Sequence, residues 1–237
     1  MTKDAINNAR LARHVMRAGT TAALASLDAR DGWPSASLVL VALAPRGQPI
    51  LLLSDLARHS ANVARSDNVG LLFDGTAGYS EALTGPRVSL KGTLERSLEP
   101  ADRARYLARH QSAETYADFT DFAFYRMTVL EAHLVAGFGR IVTIPAEALL
   151  AAADAAGRIA AMEPQLLADC NGRYGKAIQQ TATGLEGEAP WRVTGADVDG
   201  ADLAGNSHYL RISFETAVDN ADAWCDAMAS YVSNLSN

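Results

Sequence analysis

PILLLSDLARHSANVARSDNVGLLFD, residues 49–74, holds two apolar runs around a polar insert. ILLLS (50–54) reads as a strand that stops at Ser54, and VGLLFD (69–74) as the strand that follows. The insert carries four donor side chains, Arg58, His59, Ser60 and Asn62. Ser54 stands where a helix N-cap is expected. A helix opening there turns unpaired N–H groups and a positive dipole end toward an anion. On that helix 58, 59 and 62 share one side, and 57, 61 and 64 the other. The alanines at 57, 61 and 64 suit close packing on a barrel, which leaves the donors facing a ligand phosphate or, in the plainer reading, solvent.

Upstream, TTAALASL (20–27) and ASLVLVAL (36–43) read as strands around the turn DARDGWP. The second is apolar on both faces, as a barrel strand covered on its outside would be. PRGQP then forms a hairpin turn into 50–54. Downstream, RVSLKGTLER (87–96) alternates, with Val88, Leu90 and Leu94 on one face and Arg87, Ser89, Lys91 and Thr93 on the other. EPADRARYLARHQ (99–111) reads as a helix with Pro100 in its first turn, and FAFYRMTVLEAHLV (122–135) as one or two strands. About six strands over 20–145 predict a closed or split antiparallel barrel.

The first 19 residues form an amphipathic helix with Ile6, Ala9, Ala12 and Val15 on one side. Beyond Pro145 the composition turns alanine-rich and helical, with Pro164 starting a further helix through Ile178. Two or three short strands follow in 191–214, and an amphipathic helix closes the chain. The expected fold class is α+β, an N-terminal split β-barrel over 1–150 followed by a small α/β domain over 155–237.

The 237 residues carry a net charge of −6, from 27 acidic against 21 basic side chains, which argues against nucleic acid as a partner. No stretch has the length or apolarity of a membrane span or a secretory leader, so no membrane is expected and the expected compartment is the cytoplasm. Cys170 and Cys225 match no metal spacing and read as reduced thiols. Asp197, Asp199 and Asp202 fall short of a calcium pattern and read as a turn of solvated acids. Nucleophile-elbow, zinc-protease and Walker motifs are absent from the sequence.

PSASLV (34–39), LLLSDLARHSANV (51–63) and SDNVGLLF (66–73) together resemble the FMN-binding split barrels related to pyridoxamine 5′-phosphate oxidase. DFAFY (121–125) and AGFGR (136–140) resemble the subgroup that includes the haem-utilisation, haem-degrading proteins, where a small α/β domain follows the barrel. The resemblance implies an obligate homodimer with two FMN sites between barrels, and a flavin-dependent oxidoreductase acting on a small molecule. It places Ser37, Leu38 and Val39 along the flavin, with Leu53, Ser54, His59 and Ser60 near its phosphate. The oxidases carry an Arg–Lys pair where this chain has His59–Ser60, and a strand arginine where it has Ser37. A charge-assisted contact is roughly twice as strong as a neutral one, so the implied phosphate grip is weaker here. Arg58 compensates if its side chain points the same way.

Lys91 is either an exposed barrel lysine or part of the pocket beside the flavin. The glycines of GFGR (137–140) either form a tight turn or let backbone approach a ring, with Arg140 reaching a phosphate or carboxylate. Haem is the alternative cofactor and needs an axial ligand from protein. The histidines are His14, His59, His110, His133 and His208. Haem-utilisation relatives often open the second domain with His-Met-Asn-x-x-His; the matching 169–174, Asp-Cys-Asn-Gly-Arg-Tyr, lacks both histidines. His208 reads as a solvated turn residue. A third reading is a flavin- or tetrapyrrole-binding module without turnover.

Overall fold

Eight antiparallel strands follow the helix α1 (Lys3–Ala18): β1 (Thr21–Leu27), β2 (Pro34–Leu40), β3 (Ala42–Leu43), β4 (Pro49–Ser54), β5 (Asn68–Asp74), β6 (Pro86–Arg96), β7 (Phe122–Ala136) and β8 (Ile141–Pro145). This computed structural model describes residues 2–137, 139–181, 190–205 and 208–235. The chain divides into two compact units, residues 1–150 and 151–237.

In the first unit the strand order is β2-β1-β5-β6-β7-β4-β3, with β8 also on β7. The sheet curls into a split barrel, with α2 (Arg58–Arg65), α3 (Pro100–Arg109) and α4 (Ala146–Leu149) in its connections. Alternation sets the inner face: Leu24, Leu71, Leu90 and Ala132 pair in one row across four strands, each at most 2% exposed. Burying an aliphatic side chain this fully contributes about 1.5–3 kcal/mol. β4 does not alternate because it is covered twice. Leu51 and Leu53 enter the barrel core with Val41 and Met127, while Ile50 and Leu52 pack with Tyr106 and Leu107 of α3. Gly92 marks a bulge against β7, where a Cβ would sit 2.1 Å from the Thr128 carbonyl oxygen.

Several expectations need correction. The run 36–43 is two strands, broken at Val41, whose N–H donates to the Thr20 carbonyl at 3.0 Å. Its outer face is bare: Leu38 is 78% exposed and Leu40 37%. β7 is one 15-residue strand, within the one or two expected, and it holds β4 and, on the same edge, β8, which was not anticipated. Ile6 stands half exposed, while Ala9, Ala12, Val15 and Met16 carry the buried side of α1.

The second unit consists of α5 (Ala153–Thr181), β9 (Arg192–Asp197), β10 (Gly200–Gly205), β11 (His208–Ser213) and α6 (Ala221–Leu235), with strand order β11-β10-β9. α5 runs unbroken through Pro164 rather than restarting there. Proline removes one helical hydrogen bond. Here Ile159 and Leu166, on either side of it, are buried in one cluster with Trp224, and that packing carries the helix across. The acids are not solvated: Asp197 and Asp199 are 1% exposed and Asp202 9%. Arg211 bonds Asp197 at 2.7 and 2.8 Å and Asp202 at 2.6 Å, because pairing across β9, β10 and β11 sets these residues together. Cys170 is a buried free thiol, pushed up to about 11 by burial, and Cys225 is an exposed one.

Candidate functional site

The segment after β4 is stapled to the start of β7. The Ser54 hydroxyl donates to Asp121 Oδ2 at 2.7 Å and accepts the Leu56 N–H at 3.2 Å. The Asp55 N–H donates to the Asp121 carbonyl at 2.6 Å. The Ser60 hydroxyl donates back to the Ser54 carbonyl at 2.7 Å. The expected Ser54 cap therefore does not form. Ala57 occupies the N-cap position of α2 and supplies no side-chain cap.

α2 also presents the opposite face from the one expected. Ser60, Asn62 and Val63 are buried, and Ala61 and Ala64 are exposed. Burying Val63 removes more apolar surface from water than burying an alanine. Asn62 goes inward because the β1–β2 turn offers it partners. Its Oδ1 accepts the Ala29 N–H at 2.8 Å, and its Nδ2 donates to Ser26 Oγ at 3.0 Å. Arg58 Nε lies 3.3 Å from Asp28 Oδ2. Arg30 bonds the same carboxylate through its side chain and backbone, and with help from Arg58 this holds Asp28 at about 2.

A cavity of about 320 Å³ opens beside this segment. Leu38, Val39, Leu53, Ser54 and His59 line it, so five of the residues singled out from sequence converge on one place. Ser37, Arg58, Ser60, Asn62, Lys91 and Arg140 lie outside its wall. Lys91 sits on the outer sheet face, 70% exposed and 3.7 Å from Glu131. Arg140 Nε donates to Asn8 Oδ1 of α1 at 2.7 Å. Gly137 and Gly139 have φ of 77° and 86°, and the Ala136 N–H bonds the Arg140 carbonyl, so this stretch is the β7–β8 turn. Phe138 lies outside the described residues.

The rest of the wall was missed from sequence. Leu40 and Leu52 come from strands, Ala57 from the N-cap of α2, Tyr106 from α3, Tyr116 from the segment after it and Phe122 from the start of β7. The Tyr116 and Phe122 rings lie 5.0 Å apart. The aromatic density of 116–125 was a visible signal, but nothing local joins it to β2.

His59 is the histidine of this wall. It is half-buried, and burial lowers its pKa, so the imidazole is neutral at pH 7. The other four are placed elsewhere. His110 Nε2 is 2.9 Å from the Val41 carbonyl oxygen, and its ring packs on Tyr106. His133 is exposed on the sheet's outer face, His208 is exposed at the start of β11, and His14 belongs to α1. In place of the missing histidine run, Asn171 bonds both backbone groups of Val193, at 2.8 and 3.0 Å.

The curled antiparallel sheet with helices in its connections and a cleft beside β2 and β4 defines a split-barrel protein of the α+β class. The chain belongs to the CREG β-barrel family, whose model matches residues 3–150. The structure of the protein Atu2129 (unknown function) from Agrobacterium tumefaciens str. C58 is similar over 97% of this chain and 95% of that one, with TM-score 0.77 and 27% identity. A heme binding protein from Mycobacterium smegmatis is similar over 100% of this chain and 99% of that one, with TM-score 0.58 and 25% identity. A chloroplastic non-canonical heme oxygenase, HOZ, of Arabidopsis thaliana is 34% identical over 110 residues, which are 45% of this chain. The chain spans only 33% of that relative's length. No helix among the described residues is long and apolar enough to cross a membrane.

Proposed function

We propose that the chain binds haem, with the tetrapyrrole against the wall of β2, β4 and the aromatic residues 106, 116 and 122, and with His59 as the iron ligand. One observation carries this reading. Of the five polar residues at 54, 58, 59, 60 and 62, four are engaged within the fold, and His59 alone offers an uncommitted polar side chain to the cavity. A phosphorylated flavin draws on several such donors, and Ser54, Ser60 and Asn62 are already spent within the fold. Haem needs an apolar wall and a protein donor to the iron, which a neutral imidazole supplies. The names of two relatives, a heme binding protein and a heme oxygenase, support the same choice.

Bound iron would supply oxygen binding and one-electron chemistry. The chain's own residues ligate through His59, exclude water with Leu38, Leu40, Leu52 and Phe122, and hold the β4–α2 segment rigid through Ser54 and Asp121. The cavity is at the small end of the ~300–1,000 Å³ usual for such sites. A macrocycle therefore extends over the bare side chains of Leu38 and Leu40, and we propose that a second copy of the chain covers them.

An FMN-dependent oxidoreductase is the second reading. Its support is Arg58, whose side chain is 59% exposed although it pairs with Asp28 at 3.3 Å, so that it stays open to a phosphate at the surface. Titrating the purified protein with haem and, separately, with FMN decides between them. The haem reading expects a saturable shifted Soret band that His59→Ala weakens by about tenfold or more and Arg58→Ala leaves nearly unchanged. Saturable FMN binding lost in Arg58→Ala, without a Soret shift, would overturn it. Whether the bound ring is also broken down is read separately, from bleaching of the Soret band with an added reductant in air.

A further inference from the structure

A second cavity, of about 440 Å³, lies on the other side of α2, between that helix and the paired ends of β6 and β7. Its polar end is built from three residues. Arg96 and Tyr125 are direct partners across the two strands, and Arg96 Nε donates to the Tyr125 hydroxyl at 3.2 Å. Arg96 Nη2 donates to both carboxylate oxygens of Asp55, at 2.7 and 3.0 Å. The Asp55 backbone is itself held by Asp121, so the group stands on fixed elements. Ala61, Val63 and Leu94 make the apolar side of the same cavity.

The arrangement is specific about charge. Asp55 and Arg96 cancel each other, so an added anion meets an adjacent carboxylate and an added cation meets a guanidinium. What remains are unused valences in a fixed order. The carboxylate oxygens of Asp55 can accept a further hydrogen bond, and Arg96 Nη1 and the Tyr125 hydroxyl proton have no acceptor among the described residues. An ion pair with side chains 59% and 46% exposed contributes little to stability, so stability does not account for the arrangement.

We propose that this cavity is a binding site for a neutral ring bearing adjacent C=O and N–H groups, a lactam or carboxamide. The N–H donates to Asp55, the carbonyl accepts from the Tyr125 hydroxyl, and the ring lies on Ala61, Val63 and Leu94. The site is separate from the haem cavity, which is lined by other residues, and it does not depend on what that cavity holds.

The test is a methyl-resolved NMR titration of the full chain, free of haem and FMN, with nicotinamide, 2-pyridone and nicotinate as probes. The two neutral rings are expected to shift the methyls of Ala61, Val63 and Leu94 and to leave Leu40 and Leu52 unmoved. Nicotinate has the same ring with a charge, and is expected to need about tenfold more ligand for the same shift. Tyr125→Phe should weaken the neutral rings severalfold. Ala61→Trp, at an exposed helix position, should block them while leaving the fold intact. Absence of shifts at the solubility limit, equal or tighter binding of nicotinate, or unchanged binding in Ala61→Trp would each overturn the proposal.

Discussion

His110 shows what burial does to a titratable group that meets no opposite charge. Burial, aided by the nearby Arg109 charge and opposed by the hydrogen bond to the Val41 carbonyl, pushes it down to about 4. That bond needs an Nε2–H, which the neutral imidazole keeps in its Nε2–H tautomer. In the unfolded chain the same imidazole titrates near ~6.5. Between those values the unfolded state binds more protons, so folding stability falls as pH drops from about 6.5 to about 4, by about 3 kcal/mol. Urea unfolding at several pH values across that window should show this slope, and His110→Gln, which keeps the donor, should flatten it. An unchanged slope in the variant would assign the pH dependence elsewhere. His59 is lowered by burial too, and under the haem proposal its neutral form is the one that would ligate iron. At this scale the sequence was legible in part. Arg58, His59, Ser60 and Asn62 were legible as a run of donors, but only His59 lines the cavity, because the side chains could not be aimed without their partners.

Among the elements, β9 is an edge strand whose outward backbone groups need partners or cover. α5 supplies them from three side chains spaced eight residues apart. Glu163 accepts the Ala196 N–H at 2.7 Å, Asn171 pairs with both groups of Val193, and Gln179 accepts the Trp191 N–H at 2.9 Å. The side chains thus act as the missing neighbour strand. Asn171→Leu keeps the size and removes both bonds, which should destabilise the protein by about 1–3 kcal/mol. A lower urea midpoint and increased light scattering on warming would report it, and unchanged values would refute the lock. Residues 169–174, read from sequence only as lost histidines, therefore have a structural task. β4 offers the complementary lesson. Its uninterrupted apolar run was read correctly as a strand, yet the second layer over it, from α3, was not visible in the run itself.

For the whole molecule, the outer sheet face is the large unanswered surface. Leu38, Ala23 and Leu72 lie in one cross-strand row, and Ala36, Ala25 and Gly70 in the next, with Lys91, Ser89 and His133 along the polar side. Small residues keep the face flat, and Leu38 and Leu72 are 78% and 41% exposed. A contiguous apolar patch of this kind usually marks an interface. The second copy proposed above would cover it beside the haem cavity. Sedimentation should then find a dimer, and Leu38→Lys combined with Leu72→Lys should give a folded monomer with weaker haem binding. A wild-type monomer at micromolar concentration would remove this part of the proposal.

The amino-acid sequence by itself determined most of the strands and helices, the barrel and the runs that carry the family likeness, because periodicity and turn chemistry act over a few residues. The tertiary structure alone decided which donors remain available. Asn62 is spent on Ala29, 33 positions away, Ser54 on Asp121, 67 away, and His110 on Val41, 69 away. Strand register and the path of the chain between strands set those meetings. A buried polar group must bond to whatever partner they bring within reach.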